Sequence, residues 1–331
     1  MGRQRSGRFL HTERRRRTAD GLLRAVRLGE RFSPGSIASG TFDGQVYGVP
    51  YVVHGMGLYY RKSLFEQAGI TEEPQTYEEL IAANDALVAQ GVTPLYTAGK
   101  FGWMPMRLVD SLVETFCGAE MHDTLTNLEA NWAEEPCVEQ AYTEYRRWVN
   151  SGYVPENFLG VDPTEPAVPL FQRRAAMTYE GTWWIGALKE AGEDLSDWGF
   201  FPFPTGTDRL SSFTELLFIT STSEHKDEAA AFLDYFTSPE VQTRYLGQFS
   251  VVSPTVGVEP TEESDALTAE WRETLNTAPG IYLPGDQALP LEIVSSYFCV
   301  NDDVVAGVIE SGAAGAAIQA DIDAYLAAQG S

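Results

Sequence analysis

The clearest hydrophobic pattern in the chain is a run of β-branched and aromatic residues over positions 46–60. Four residues that disfavour regular strand interrupt this run: Gly48, Pro50, Gly55 and Gly57. Glycine and proline inside a strand pattern mark bends and sites where the ladder of hydrogen bonds is weakened. The pattern therefore predicts two strand pieces joined by a bendable crossover.

Turn and capping signals flank this run on both sides. Asp43-Gly44 predicts a turn before it. After it, residues 63–68 are predicted as a short helix. Thr76 and Glu79 then have the spacing of a capping box, which predicts the start of a second helix. Strand elements are thus followed directly by helices.

The rest of the chain alternates short apolar runs with longer amphipathic stretches, which predicts an α/β fold. The run at 213–220 has the continuous apolar character of a buried strand in a parallel sheet. Ser223 is predicted as the N-cap of the helix after it. The predicted strands are 175–179, 199–203 and 213–220; the predicted helices are 104–116, 137–150, one opening at 182, 223–236, one opening at Ser238-Pro239, 268–276, 287–308 in broken pieces and 313–328.

Length and composition change this picture only slightly. The chain has 331 residues, enough for two domains, and 44% of them are hydrophobic. It contains no apolar run of about eighteen residues, so no membrane-spanning helix is predicted. The net charge of −24 argues against a nucleic-acid partner, which requires a basic surface.

The first 35 residues differ in charge from the rest of the chain. They hold ten of the 23 basic residues, all arginine, and three acidic ones. A nucleic-acid-binding arm is one interpretation. The basic region of a signal peptide is another, but no apolar segment of suitable length follows it.

Three cysteines are present, Cys117, Cys137 and Cys299, and none has the spacing of a zinc site. Cys117 and Cys137 flank a predicted loop between two helices. A disulfide there would suit an extracytoplasmic protein. Buried free thiols are the alternative, and the sequence leaves the choice open.

Several stretches, taken in order, resemble the family 1 extracellular solute-binding proteins of ABC transporters, which bind sugars. Members of the family carry similar motifs in the same order and with similar spacing. Arg61 and Tyr77 depart from the family's usual Asn and Trp, at positions that we interpret as structural. The matching stretches are D-G-Q-V-Y-G-V-P (43–50), L-Y-Y-R-K-S-L-F-E-Q-A-G-I (58–70), P-Q-T-Y-E-E-L (74–80), F-Q-R-R-A-A-M-T-Y-E-G-T-W-W (171–184) and E-A-A-A-F-L-D-Y-F-T-S-P-E-V-Q (228–242).

The resemblance implies a periplasmic-binding-protein type II fold with two α/β lobes and a hinge. Because the family has a longer segment before its D-G-x-x-Y-G-V-P motif, lobe one is expected to be incomplete and the Arg-rich lead (1–35) to be disordered or a misassigned start. A chain with an incomplete lobe is expected to bind sugar poorly or not at all. The implied bounds are 36–52 and 216–252 for lobe one, 58–210 and 258–331 for lobe two, and 52–57, 211–215 and 252–258 for the hinges.

Candidate ligand-binding residues follow from the chemistry of sugars, which offer C–H faces to aromatic rings and hydroxyls to polar side chains. The resemblance places Trp183 on the sugar in preference to its neighbour Trp184, since adjacent helical residues diverge by about 100°. Trp103 begins a helix that faces the ligand in relatives. For either tryptophan, packing in the core is the alternative.

Polar candidates lie at the predicted crossovers. His54 lies on the first, where relatives have polar sugar contacts; a solvent-exposed hinge residue is the alternative. Glu215 interrupts an apolar strand at the second, and its charge requires a partner, either a ligand or a salt bridge. Glu180 and Asp286 are weaker candidates.

The function implied is the substrate-binding component of an ABC importer, which captures a sugar or oligosaccharide in the cleft between lobes for delivery to the permease transmembrane subunits. It implies a monomer outside the cytoplasm, periplasmic or lipid-anchored, with no cofactor, metal or nucleic acid. The same fold with a non-sugar ligand, such as a glycerol-phosphodiester or a polyamine, is one alternative. A glycoside hydrolase is another, but no catalytic motif singles out a carboxylate pair.

Overall fold

The computed structural model describes residues 28–42, 44–165, 167–246, 251–259 and 264–329. The Arg-rich lead as far as residue 27, and Asp43 of the predicted turn, lie outside these residues. The chain divides into two compact units. Unit 1 takes in the described residues up to Gly55 together with Thr182–Ala187 and Ser212–Thr277, and unit 2 takes in Met56–Gly181, Leu188–Ser211 and the described residues from Ala278 onwards.

Helices and strands alternate along the described residues, as the hydrophobic pattern predicts. Short 3-10 turns at Phe158–Gly160, Leu195–Asp197 and Ser311–Ala313 connect some of them. The strands are β1 (Thr41–Phe42), β2 (Gln45–Val46), β3 (Val49–Arg61), β4 (Thr93–Tyr96), β5 (Ala175–Gly181), β6 (Trp198–Phe201), β7 (Arg209–Leu217) and β8 (Gly280–Tyr282). The helices are α1 (Leu28–Arg31), α2 (Pro34–Ser39), α3 (Lys62–Gln67), α4 (Tyr77–Ala89), α5 (Trp103–Thr126), α6 (Pro136–Asn150), α7 (Val168–Phe171), α8 (Trp184–Glu190), α9 (Lys226–Phe236), α10 (Pro239–Tyr245), α11 (Ala266–Thr277), α12 (Gly285–Ala288), α13 (Leu291–Ala306) and α14 (Ala314–Gln329).

Unit 1 is organised around one antiparallel strand pair. The first half of β3 pairs with the later part of β7, from Val49↔Leu217 to Gly55↔Ser212. A small apolar core, formed by Phe32, Val49 and Leu233, packs beside this pair. The strand pair therefore fixes which side chains of β3 and β7 become neighbours in this unit.

Unit 2 contains the larger set of strands. The second half of β3 pairs antiparallel with β5 on one side and with β6 on the other. β4 runs parallel to β5, and β8 runs parallel to the first residues of β7. Trp132, Trp148 and Trp198 are almost fully buried in the core of this unit. None of the helices within the described residues combines the length and apolar character needed to cross a membrane.

The 46–60 run is interrupted at residues 47–48, between β2 and β3, but the predicted break at Gly55 and Gly57 is wrong, because β3 is a single strand of 13 residues. Both halves of the strand have partners, β7 for the first and β5 with β6 for the second. Hydrogen bonds along a ladder use only backbone groups, so glycines within it are tolerated when partner strands are in place. The breakers leave two traces: residues 47–48 lie outside both strands, and the pairing of β3 with β7 is irregular between Pro50 and Val52.

Strand β7 also differs from its prediction as a buried strand of a parallel sheet. It begins at Arg209, it pairs antiparallel with β3 in unit 1, and residues 213–217 are only half-buried. An antiparallel pair can leave one face towards solvent, which an apolar sequence alone does not reveal. This half-exposed segment carries Glu215.

Two helix starts test the capping predictions. Thr76 and Glu79 form the capping box, which confirms the start of α4. The prediction of Ser223 as an N-cap is wrong, since α9 begins at Lys226 with His225 at the cap position. The Ser223 hydroxyl instead accepts a hydrogen bond from the His225 backbone N–H, inside the preceding turn. A local side-chain bond thus replaces the helical one.

The disulfide left open by the sequence is present, and it joins Cys117 to Cys137. Cys117 lies just before Gly118, whose backbone is non-helical and interrupts α5, and Cys137 lies in the first turn of α6. The bridge therefore ties the interruption in α5 to the start of α6. Cys299 is free and exposed.

The two departures from the family motif have structural roles in unit 2. Arg61 is 3% exposed and pairs with Glu193 and Asp197. The Tyr77 hydroxyl accepts a hydrogen bond of 2.8 Å from the indole N–H of Trp148. Both side chains connect elements of the same unit.

Candidate functional site

A polar chain centred on His54 lies in unit 1. His54 is on β3 and is 4% exposed. Its Nδ1 lies 2.8 Å from the hydroxyl of Thr182, and its Nε2 lies 3.2 Å from Oε1 of Glu215. The Thr182 backbone N–H donates to the carbonyl of Gly55, the residue after His54, which holds the segment at 182 against β3. The imidazole is therefore fixed at both nitrogens.

Aromatic rings contact the same imidazole. The Trp183 ring lies 4.9 Å from it in an edge-to-face arrangement, and the Phe213 ring lies 5.3 Å from it. Trp183 and Phe213 also contact each other, with centroids 6.2 Å apart. Edge-to-face pairs at such distances stabilise each ring's orientation. The half-buried Trp183 is thus held in one place beside a polar group.

Glu215 completes the group. Its carboxylate accepts hydrogen bonds from His54 and from the Tyr51 hydroxyl, while its side chain remains 40% exposed. The hydrogen bond from His54 holds the pKa of Glu215 below its usual value. Burial, together with the bond to Glu215, raises the pKa of Tyr51 to about 12. At neutral pH this group therefore combines an ionised, partly exposed carboxylate with a neutral phenol.

A second group of candidates lies in unit 2, at the start of α5. Gly102 precedes the helix with a φ of +77°, and a Cβ at that position would meet the Phe298 ring at 2.6 Å. Trp103 follows, and the guanidinium of Arg107 lies 4.2 Å from the centre of its ring. Arg107 also donates to Glu180 over 2.7 Å and to the Tyr179 carbonyl over 3.0 Å. Trp103, Arg107 and Glu180 thus form one contact group, in which the carboxylate of Glu180 is the counter-ion of Arg107.

Asp286 lies on α12, in a neighbouring part of unit 2. The residue before it, Gly285, donates its N–H to the buried carboxyl of Asp110. Burial raises the pKa of Asp286, and it raises the pKa of Asp110 to about 7. Asp110 thus anchors the short helix that carries Asp286.

The structure distributes the predicted residues over both units. His54, Trp183, Trp184 and Glu215 lie in unit 1, and Trp103, Glu180 and Asp286 lie in unit 2. Three unit 1 candidates (His54, Trp183 and Glu215) form one contact group. The alternative of an exposed hinge residue is wrong for His54, whose ring is buried. The ligand-binding roles of all seven residues stay predictions.

Sequence reasoning missed four members of these groups: Tyr51, Thr182, Phe213 and Arg107. Arg107 could have been found, because it follows Trp103 by four residues on a helix and so shares its face. Phe213 becomes a neighbour of His54, and Tyr51 of Glu215, only through the pairing of β3 with β7, whereas Thr182 reaches His54 through the return of the chain at 182. Within the described residues no group of three or more His, Cys, Asp or Glu side chains could hold a metal ion.

Comparison with known proteins gives one family and one fold. Residues 21–243 match the bacterial extracellular solute-binding protein family. An ABC transporter extracellular-binding protein of Pyrococcus horikoshii is 28% identical over 225 residues, which are 66% of this chain and 50% of that protein. The multiple sugar-binding protein of Streptococcus mutans is 24% identical over 210 residues, 61% of this chain and 49% of that protein. The chain thus spans about half the length of these curated relatives.

Solved structures show the same architecture. A chitin oligosaccharide binding protein superposes with a TM-score of 0.83 at 23% identity, over 92% of this chain and 78% of that one. A bacterial solute receptor with an exclusive preference for β-D-galactopyranose superposes with a TM-score of 0.81 at 21% identity, over 94% and 79%. These likenesses confirm the predicted α/β fold of the solute-binding type.

Proposed function

Since the chain belongs to the bacterial extracellular solute-binding protein family, we propose that it is the substrate-binding component of an ABC importer for a sugar or oligosaccharide. The observation that carries this proposal is the contact group of His54, Trp183 and Glu215. An aromatic face beside a fixed carboxylate offers what a sugar requires, a surface for its C–H groups and an acceptor for its hydroxyls.

The names of similar proteins support a sugar as the ligand. A multiple sugar-binding protein is among the relatives, and proteins that bind chitin oligosaccharides, galactopyranose, maltose and raffinose are among the similar structures. We infer that the importer's permease transmembrane subunits are the protein partner. We also infer that the protein acts as a monomer outside the cytoplasm, periplasmic or anchored to the cell surface by a lipid. The disulfide Cys117–Cys137 supports that location, because disulfides persist in oxidising compartments.

Each compact unit carries one proposed ligand surface. The resemblance implies a lobe one made of residues 36–52 and 216–252. It implies a lobe two made of residues 58–210 and 258–331. The compact units differ from these bounds at Thr182–Ala187 and at residues 258–277, both of which belong to unit 1. In unit 2 the stack of Trp103 and Arg107 with Glu180 is the second proposed ligand surface.

Saturation-transfer difference NMR tests the proposal, since it detects even weak binding of a sugar to a protein. Galactose, maltose, raffinose and the chitin disaccharide are the probes. We expect transfer from the protein to the ring protons of at least one sugar, and we expect Trp183→Ala to reduce that transfer to background. Tyr235→Ala is the matched control, because Tyr235 is an exposed aromatic residue of unit 1 outside the contact group.

Two results would contradict the proposal. One is the absence of transfer to all four sugars; transfer to glycerophosphodiesters or to spermidine in their place would favour a non-sugar solute. The other is release of reducing ends from an oligosaccharide in proportion to enzyme concentration. Such turnover would identify the protein as a glycoside hydrolase and not as a binding protein.

A further inference from the structure

Glu215 is the acceptor of two hydrogen bonds in the unit 1 contact group, one from His54 and one from Tyr51. A carboxylate cannot donate, so the contact of 3.2 Å with His54 requires a hydrogen on Nε2. The Tyr51 hydroxyl donates to the second carboxylate oxygen. Each oxygen therefore accepts one hydrogen bond from the protein and keeps a further lone pair. Because the side chain is 40% exposed, part of its surface is open to a ligand.

We propose that Glu215 is a specificity-determining residue of the sugar site, and that it selects ligands that present a hydroxyl or ammonium group there over ligands that present a carboxylate or phosphate. This inference rests on the proposed function. In it, Glu215 contacts the ligand, whereas His54 is a positioning residue that acts through Glu215.

The burial of His54 explains this division of roles. Its ring is 4% exposed, and both nitrogens are occupied, by Thr182 and by Glu215. A ligand hydroxyl would have to displace one of these bonds to reach the imidazole. The Ser212 hydroxyl, which donates to the His54 carbonyl over 2.7 Å, fixes the backbone at the same point. His54 is thus arranged to direct a hydrogen bond and not to receive a ligand.

The charge of Glu215 sets the preference between ligands. Its hydrogen-bonding partners among the described residues are His54 and Tyr51, and the phenol of Tyr51 stays neutral because its pKa is raised. The pKa of Glu215 is lowered, so the carboxylate is charged at neutral pH. A ligand anion would meet a like charge and would find no donor on this carboxylate. A hydroxyl or an ammonium would gain a charge-assisted hydrogen bond.

Titration with two matched sets of monosaccharides tests the preference. The sets are glucose, glucosamine and glucuronate, and galactose, galactosamine and galacturonate. In the set whose neutral sugar binds, we expect the uronate to bind at least about tenfold more weakly than the neutral or amino sugar, the factor that one hydrogen bond to a charged group provides. A uronate that binds as tightly as the neutral sugar overturns the inference.

Glu215→Gln identifies the residue responsible. Glutamine keeps the size of the side chain but removes the charge and one acceptor oxygen. We expect it to weaken the neutral sugar about tenfold and to abolish the discrimination against the uronate. The control is Glu240→Gln, an exposed carboxylate of unit 1 paired with Arg244, which should leave both affinities unchanged.

The outcomes separate the two proposals. If sugars bind but Glu215→Gln leaves the ratio of neutral sugar to uronate unchanged, the inference is wrong and the proposed function stands. If none of these monosaccharides and none of the four sugars of the NMR experiment binds, the proposed function fails and the inference fails with it.

Discussion

The backbone N–H of Gly285 donates to Oδ2 of Asp110 over 2.8 Å, and the Tyr297 hydroxyl donates to the other carboxyl oxygen over 2.7 Å. Asp110 is 5% exposed, in the interior of unit 2. Burial disfavours its charged form and raises its pKa to about 7, although both hydrogen bonds oppose that shift. The start of α12, and with it Asp286, thus depends on a carboxyl that titrates near neutral pH.

Stability should therefore fall as the pH rises through this range. A folded-state pKa above the unfolded value means that the folded protein binds more protons between about pH 4 and pH 7. The contribution of the Asp110 carboxyl to the free energy of unfolding is fully present below the unfolded pKa and is lost as pH approaches and passes 7. We expect unit 2 to lose roughly 2–4 kcal/mol of stability between pH 4.5 and 7.5 on this account. Urea unfolding at the two pH values measures the loss.

Asp110→Asn tests the assignment of that dependence. An amide cannot ionise but can still accept the bond from Gly285, so the variant should show a flatter pH profile. Asp302, whose pKa burial raises to about 6, contributes in the same direction and remains in the variant. Asp323→Asn, at an exposed position of the same unit, is the control and should keep the full slope. An unchanged slope in Asp110→Asn would refute the assignment.

The disulfide Cys117–Cys137 should contribute to the stability of unit 2. It closes a segment with a sequence separation of 20. A cross-link across such a loop lowers the entropy of the unfolded chain and so stabilises the folded state by about 3 kcal/mol. We expect the double variant Cys117→Ser/Cys137→Ser to be destabilised by about that amount in urea. Cys299→Ser is the control, because Cys299 is free and exposed. Equal stability of the wild type with and without reductant would contradict the prediction.

Asn84 is a position where a substitution should stabilise the protein. It is fully buried on α4, and neither its Oδ1 nor its Nδ2 has a hydrogen-bonding partner among the described residues. An amide buried in this way costs about 1–3 kcal/mol. We therefore expect Asn84→Leu, which has the same number and branching of side-chain heavy atoms, to raise the free energy of unfolding by about 1 kcal/mol. A loss of stability would show that the amide has a partner, such as a buried water.

Local signals in the sequence predicted the elements that depend on local physics. The capping box of Thr76 and Glu79 is such a case, because both partners lie within one helical turn. The helix predicted over 137–150 is another, since its apolar residues recur at helical spacing, and it is observed over Pro136–Asn150. The structure agrees with the sequence at each of these positions.

The contact between His54 and Glu215 depends instead on strand register. His54 pairs with Phe213, so Glu215 lies two residues further along β7 on the same face, diagonal to His54. A register shifted by one residue would turn Glu215 to the other face. The sequence pattern indicates both residues, but as separate candidates at separate crossovers. Their contact, and the roles of Thr182 and Tyr51 around it, required a pairing across about 160 residues that no local pattern encodes.

Gly102 tests how the start of α5 is built, and with it the position of Trp103. An alanine at position 102 would destabilise the fold in two ways: its φ would be +77°, and its Cβ would lie 2.6 Å from the Phe298 ring. A left-handed non-glycine residue costs about 1–2 kcal/mol, and overpacking in a core costs about 1–3 kcal/mol more. We expect Gly102→Ala to lower the free energy of unfolding of unit 2 by roughly 2–5 kcal/mol.

Gly152 provides the matched control for that variant. Its φ of +72° is nearly the same, but nothing lies within 4 Å of the position that a Cβ would take. Gly152→Ala should therefore show the backbone cost alone, about 1–2 kcal/mol. The difference between the two variants isolates the collision with Phe298, and Phe298→Ala in the Gly102→Ala background should remove it. Equal losses for Gly102→Ala and Gly152→Ala would mean that the Phe298 ring moves aside without cost and does not hold Trp103 in place.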